Sequence, residues 1–321
     1  MTFAFRRSSR VIAGVAGAML LATACGSSST TAKPVAKPKS GPAAVKSFKQ
    51  ETLHISAIPD QDPAKLTALY GAMATYLHTK LKVPVDYVPV TDYAASVSSF
   101  QLGDLDLVWF GGLTGVQARL QTPGAKLVAQ RDIDSKFQSV FIAGSSAGLA
   151  KITAVDGLSA LKNHSLTFGS ESSTSGRLMP QYFLDQAGVA VADLKGQPGF
   201  SGSHDATIKA VEAGTFEVGA LNSKVWDAAV AAKTVDTSKV TELFRTPTFY
   251  DYHWLARPGL DARFGAGFTA ALTQAILSLD VADPAQKVIL DLFSASRFVT
   301  TTTANYDKIE SIGRKLGLIK G

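Results

Sequence analysis

The sequence predicts an α/β protein of two lobes with a cleft between them. Short apolar runs alternate with segments of helical period along most of the chain, which argues for largely parallel sheets flanked by helices. Two stretches, Arg131 to Val140 and Arg245 to His253, read as crossings between lobes. The roughly 270 residues that follow a distinct N-terminal segment suffice for one large domain or two small lobes.

The first strand is expected over Leu53 to Ile58. Asp62 and Pro63 then supply an N-cap and a first helical residue, and Leu66, Leu69, Tyr70, Met73, Leu77 and Leu81 form one apolar face. Pro84 to Val90 is a second strand. A helix from Asp92 to Leu102 is closed by Gly103, and Leu105 to Phe110 reads as a fully buried strand. Further strands are expected at Leu127 to Gln130, Ser139 to Ala143, Leu166 to Gly169, Phe216 to Leu221 and Lys239 to Phe244, with helices at 175–187, 204–213 and 223–232. After Tyr252 to Ala256 the chain is expected to be helical to its end, at 261–279, 284–293 and 303–316. On this reading residues 48–136 plus 250–321 make a discontinuous first lobe, and 141–245 make the second. The hinges lie near 131–140 and 245–253. Loops at the carboxyl ends of the strands then line the cleft.

The N-terminus is of another kind. Residues 1–24 read as a signal peptide, with Arg6, Arg7 and Arg10 before an apolar stretch too short to span a membrane. The sole cysteine, Cys25, ends that stretch in Leu21-Ala22-Thr23-Ala24-Cys25-Gly26, which resembles a bacterial lipobox although Leu21 stands one place early. The alternative is an ordinary leader with a stray cysteine. A single cysteine forms no internal disulfide, and lipidation accounts for it. Residues 25–47 hold Ser, Thr, Ala, Lys, Gly and Pro with little to bury, the composition of a flexible tether.

Charge narrows the function classes. The whole chain carries +6, from 32 basic and 26 acidic residues. Seven of the basic residues and none of the acidic ones fall within residues 1–47, so the remainder is a formal −1 with 25 against 26. A near-neutral globular part gives no polyanion-binding stripe and excludes nucleic acid as an expected partner.

Three segments carry candidate binding residues. Phe168-Gly169-Ser170-Glu171-Ser172-Ser173-Thr174-Ser175-Gly176-Arg177 follows a strand and opens a helix. Its unpaired first-turn N–H groups, its hydroxyls and the helix dipole suit an oxyanion, while an over-decorated N-cap is the plainer alternative. Gly199-Phe200-Ser201-Gly202-Ser203-His204-Asp205-Ala206 starts another helix, where His204 is either a donor to a ligand or structural. In Thr246-Pro247-Thr248-Phe249-Tyr250-Asp251-Tyr252-His253-Trp254, Asp251 is either an acceptor for a protonated ligand oxygen or a partner for Arg131 in the hinge.

Several stretches occur in an order that resembles a known family: Thr91-Asp92-Tyr93-Ala94-Ala95, Gly103 to Gly112, Ser173-Thr174-Ser175-Gly176, Ser203-His204-Asp205-Ala206 and Asp251-Tyr252-His253-Trp254. Together with the leader they look like the phosphate/phosphite/phosphonate class of ABC-transporter substrate-binding lipoproteins. The resemblance spans residues 50–315. It implies a type II periplasmic-binding fold that closes on its ligand by hinge motion, with ABC permease and ATPase subunits as partners, a lipid anchor at Cys25 on the extracytoplasmic membrane face, and no cofactor. By the same resemblance Ser173, Thr174 and Ser175 grip the oxyanion and Tyr93, His204 and Asp251 complete the site; the expected mechanism is that open lobes expose two helix N-termini and closure brings in Tyr93 and Asp251. Phe137 stands where many members have a ligand-binding tyrosine. Trp109 and Phe110 are pocket-wall candidates, or core residues. The wording Ile58-Pro59-Asp60-Gln61-Asp62-Pro63 with Trp109-Phe110-Gly111-Gly112 looks like the branch assigned to phosphite or selenium oxyanions such as selenate.

Two other classes compete. An enzyme on the same fold that processes phospho-esters would need chemistry. The chain has no Gly-x-Ser-x-Gly elbow, no His-Glu-x-x-His motif and no Walker A loop, and its histidines lack metal spacing. Only Ser173 with His204 could be read as a nucleophile–base pair. The other rival is an extracytoplasmic anion sensor, which genomic neighbours distinguish from an importer component.

Overall fold

A computed structural model describes residues 47–320; the leader, Cys25 and nearly all of the tether lie outside the described residues. The chain begins with β1 (Leu53–Ala57), α1 (Pro63–Leu81), β2 (Val85–Tyr87), α2 (Tyr93–Leu102), β3 (Leu107–Phe110), α3 (Gly112–Gln121) and β4 (Lys126–Arg131). It then crosses to a second sheet through β5 (Ser139–Gly144), β6 (Leu166–Phe168), α4 (Met179–Gln186), β7 (Gly199–Phe200), α5 (His204–Glu212), β8 (Val218–Asn222), α6 (Ser223–Ala231) and β9 (Val240–Arg245). It returns with β10 (His253–Ala256) and finishes with α7 (Leu260–Phe264), α8 (Phe268–Leu277), α9 (Pro284–Leu292), β11 (Phe298–Val299) and α10 (Asp307–Lys315).

The strands form a six-stranded sheet in the order β11-β4-β10-β3-β1-β2 and a five-stranded sheet in the order β7-β6-β8-β5-β9. The expectation of largely parallel sheets needs correcting, because both are mixed. β1 runs parallel to β2 and β3, and β6 parallel to β7 and β8. The strands just past each crossing, β5 and β10, lie antiparallel to both of their neighbours. A chain that changes sheets enters from the opposite end and so reverses the strand it inserts. The two crossings are themselves bonded, since Phe137 and Phe249 exchange backbone hydrogen bonds of 2.9 Å each way.

Local chemistry explains where the elements begin and end. Asp62 caps α1 through Ala64 N, Asp92 caps α2 through Ala95 N, and Ser203 caps α5 through Ala206 N. Gly103 ends α2 at φ +103°, which a side chain would resist. Three features depart from expectation. α3 occupies a stretch in which two glycines lower helix propensity. The helix expected over 261–279 is broken into α7 and α8, because Gly265 and Gly267 both take positive φ. The helical tail is interrupted by β11, which pairs Phe298 with Arg131 on the edge of the first sheet.

Candidate functional site

Three helix N-termini meet between the sheets. The first belongs to α3, which has no local cap on Gly111. Its Gly112 N–H donates to Asp251 Oδ1 at 2.9 Å and its Leu113 N–H donates to Thr174 Oγ1 at 2.9 Å. Gly111 makes that approach possible, since a Cβ there would stand 3.1 Å from Thr174 Oγ1 and 3.3 Å from Asp251 Oδ1. The second is the turn Thr174–Leu178, wound as a π-helix ahead of α4. Ser173 Oγ accepts the Gly176 N–H at 2.9 Å, and the wide i→i+5 winding leaves the Thr174 and Ser175 N–H groups without intrahelical acceptors.

The third is α5. Its His204 N–H donates to the Asp60 carbonyl of the first lobe at 2.9 Å, so with the lobes in this arrangement that donor is taken. The His204 ring sits against the Ser-Thr-Ser-Gly turn, its Cε1 3.2 Å from where a Gly176 Cβ would lie. Its Nδ1 accepts the Asn222 N–H at 3.3 Å, which assigns the proton to Nε2, 3.4 Å from the Tyr252 hydroxyl. Burial pushes this histidine down to about 4, so the ring is neutral.

Tyr93, Ser173, Thr174, Ser175, His204 and Asp251 are all buried, and they divide into two sets. Ser173, Thr174 and His204 each accept a backbone N–H and thereby hold the turn and the seam. Of the eight buried side-chain polar atoms without a partner among the described residues, three are Tyr93 Oη, Ser175 Oγ and Asp251 Oδ2. A buried unmade hydrogen bond costs about 1–3 kcal/mol, so three on one six-residue set make this seam the candidate binding place.

The electrostatics favour neutral recognition with one titratable acceptor. Burial raises Asp251 to about 7 against the pull of the Gly112 N–H. Burial also raises Asp60 to about 6, opposed chiefly by the Tyr252 hydroxyl that donates to its Oδ2 at 2.8 Å. Arg131 does not pair with Asp251, the hinge alternative left open above. It forms a fork with Asp134, with Nη2–Oδ1 at 2.6 Å and Nε–Oδ2 at 2.9 Å, and donates to the Phe293 carbonyl. Asp134 lies three residues away on the same crossing and outcompetes the more distant carboxyl. The Arg131 guanidinium lies over the Tyr252 ring, 4.8 Å from its centre.

Sequence reasoning named no role for Asp60, Asn222 or Tyr252, yet these join the lobes: Asn222 Nδ2 donates to the Tyr252 hydroxyl at 3.1 Å. The motifs containing Asp60 and Tyr252 were noticed, but no spacing rule brings residues 192 positions apart together. Of the two pocket-wall candidates, Trp109 stacks on Tyr252, rings 5.7 Å apart, and borders a cavity of about 50 Å³ with Asp60, Arg131 and Asn222, which none of the six candidate ligand residues lines. Phe110 packs edge-on against Phe100 at 5.6 Å in the core. Phe137 packs its ring on Tyr252 at 5.4 Å in the hinge. Among the described residues no cluster of His, Cys, Asp and Glu could hold a metal ion.

Two α/β lobes on a doubly crossed hinge, with bonding groups from both facing one another across the seam, define a solute-binding protein of the periplasmic type. The chain belongs to the family described as ABC transporter, phosphonate, periplasmic substrate-binding protein, whose model matches residues 55–306. It is 49% identical over 84% of its length to a probable ABC transporter phosphite binding protein, PhnD1, of Prochlorococcus marinus (strain MIT 9301), and covers 91% of that protein. The solved structure of the same Prochlorococcus protein with methylphosphonate superposes with a TM-score of 0.83, covering 84% of this chain and all of that one. A phosphate-import protein, PhnD, of Mycolicibacterium smegmatis is 28% identical over 67% of this chain and 65% of its own. A binding protein of a phosphonate transporter from Pseudomonas aeruginosa, 17% identical with a TM-score of 0.70 over 82% of this chain and 86% of its own, shares the fold.

Proposed function

We propose that this chain captures a small phosphorus oxyanion, phosphite or methylphosphonate, outside the cytoplasm and hands it to an ABC permease without chemistry. One observation carries the reading: Ser175 Oγ, Tyr93 Oη and Asp251 Oδ2 are buried and unpartnered beside a turn whose leading N–H groups have no intrahelical acceptor. The hydroxyls and N–H groups are donors to ligand oxygens, and Asp251 Oδ2 faces a ligand P–OH or, when protonated, donates to an ionised oxygen. Neutral donors in a water-poor site bind an anion through charge-assisted hydrogen bonds without a salt bridge. Selenium oxyanions and phosphate share the tetrahedral or pyramidal oxygen arrangement and are the competitors to measure. The extended reading includes cleavage of the leader, lipidation of Cys25 and residence on the extracytoplasmic face.

Calorimetry of the purified protein with phosphite, methylphosphonate, phosphate, selenite and selenate tests this. Ser175→Ala and Tyr93→Phe should each weaken the best ligand by about 1.5–3 kcal/mol, the range for hydrogen bonds to charged groups. Binding of none of these anions, or wild-type affinity in both variants, would remove the proposal.

A further inference from the structure

Asp205 is the second residue of α5, a position where an acidic side chain ordinarily serves its own helix. Here Ser203 does the capping, and both Asp205 oxygens are bonded by the other lobe. Oδ2 accepts the Asp62 N–H at 3.0 Å and Oδ1 accepts from Lys65 Nζ at 2.7 Å. Asp62 and Lys65 stand at the N-cap and first turn of α1, and both hydrogen bonds of the Asp205 side chain run to that other lobe. Next to this contact the Asp60 carbonyl accepts the His204 N–H at 2.9 Å. None of these atoms belongs to the unpartnered set facing the ligand position.

We propose that Asp205 is a closure latch, a positioning residue that ties the entrance of α1 to the start of α5 and sets how long a captured ligand stays. The inference rests on the reading above that the lobes close over an anion. Opening must break the Asp62 and Lys65 bonds together with the neighbouring His204–Asp60 bond. The Asp205 side chain is 18% exposed and Lys65 58% exposed, so the ion pair lies on the rim, where salt reaches it.

The test uses phosphite and methylphosphonate with wild-type protein, Lys65→Met, Asp205→Ala and the double variant. Dissociation should quicken about two- to fivefold in Lys65→Met, as for exposed ion pairs, and about tenfold or more in Asp205→Ala, which also loses a hydrogen bond to a charged group. Association should change by less than about twofold. The double variant should match Asp205→Ala, since Lys65 acts through that carboxylate. A second readout needs no ligand. Amide exchange at His204, whose N–H crosses the seam without touching Asp205, should accelerate in Asp205→Ala while amides of β1 and β8 keep their protection. Unchanged dissociation together with unchanged His204 exchange in a folded Asp205→Ala overturns the latch. If wild-type protein binds neither anion, the ligand reading falls and the exchange measurement still decides the latch.

Discussion

Asp251 holds one carboxylate oxygen on the Gly112 N–H and leaves the other buried without a partner. Burial weakens it as an acid, raising its pKa to about 7, so near neutral pH it is protonated about half the time. A phosphite or phosphonate carries one proton in the same range, so one proton shared between acid and ligand suffices for a good hydrogen bond. Once pH exceeds both values, two negative groups face each other. Affinity should therefore hold from pH 6 to 7 and fall by about tenfold per pH unit well above that. Asp251→Asn keeps an N–H donor that needs no proton, so its affinity should stay flat to pH 9. Calorimetry across that range checks both, and a flat wild-type profile would contradict the shared proton. The candidate residues were legible because Ser, Thr, Tyr, His and Asp stood at helix starts and the hinge. Which atoms were already bonded was not, because, apart from Gly176 three residues beyond Ser173, their partners stand 18 to 139 positions away along the chain.

The crossings hold a buried ion pair, Arg131 with Asp134, under aromatic rings of Trp109, Phe137 and Tyr252. Removing one partner leaves an uncompensated buried charge. Asp134→Ala should therefore destabilise the protein by about 3–5 kcal/mol, read as a lower midpoint in urea unfolding. Helices show what sequence could and could not reveal. α1, α2 and α5 carry caps from the residue before them, so their starts were visible. α3 takes its cap bonds from Asp251, 139 positions away, and Thr174, 61 positions away, so nothing local announced it. Its Gly115 also reads as a helix breaker, whereas the fold needs it: a Cβ there would stand 2.2 Å from the His253 ring.

The chain as a whole joins a family of extracytoplasmic binding domains to an N-terminal segment of different composition. No helix among the described residues is long and apolar enough to cross a membrane. The proposed anchor is a lipid on Cys25, which the next variant tests. Cys25→Ala should shift the protein from the membrane to the soluble fraction on cell fractionation while calorimetry of the released protein shows unchanged anion affinity. Retention at the membrane would count against lipidation. The two-lobe division was legible because strand–helix alternation is a local signal. The mixed strand directions were not, since direction depends on which end of a sheet the chain enters after it crosses.

Amino-acid order alone determined the α/β class, the helix starts with their caps, the near-neutral charge of the domain and the residue types able to meet an anion. These follow from spacing and side-chain chemistry within a few positions. Tertiary structure alone decided that Asp60 carbonyl occupies the start of α5, that Arg131 answers to Asp134, and that Tyr93, Ser175 and Asp251 are left with bonds to make. Those outcomes depend on which distant groups the fold brings within 3 Å or so of one another, and no local pattern encodes that distance.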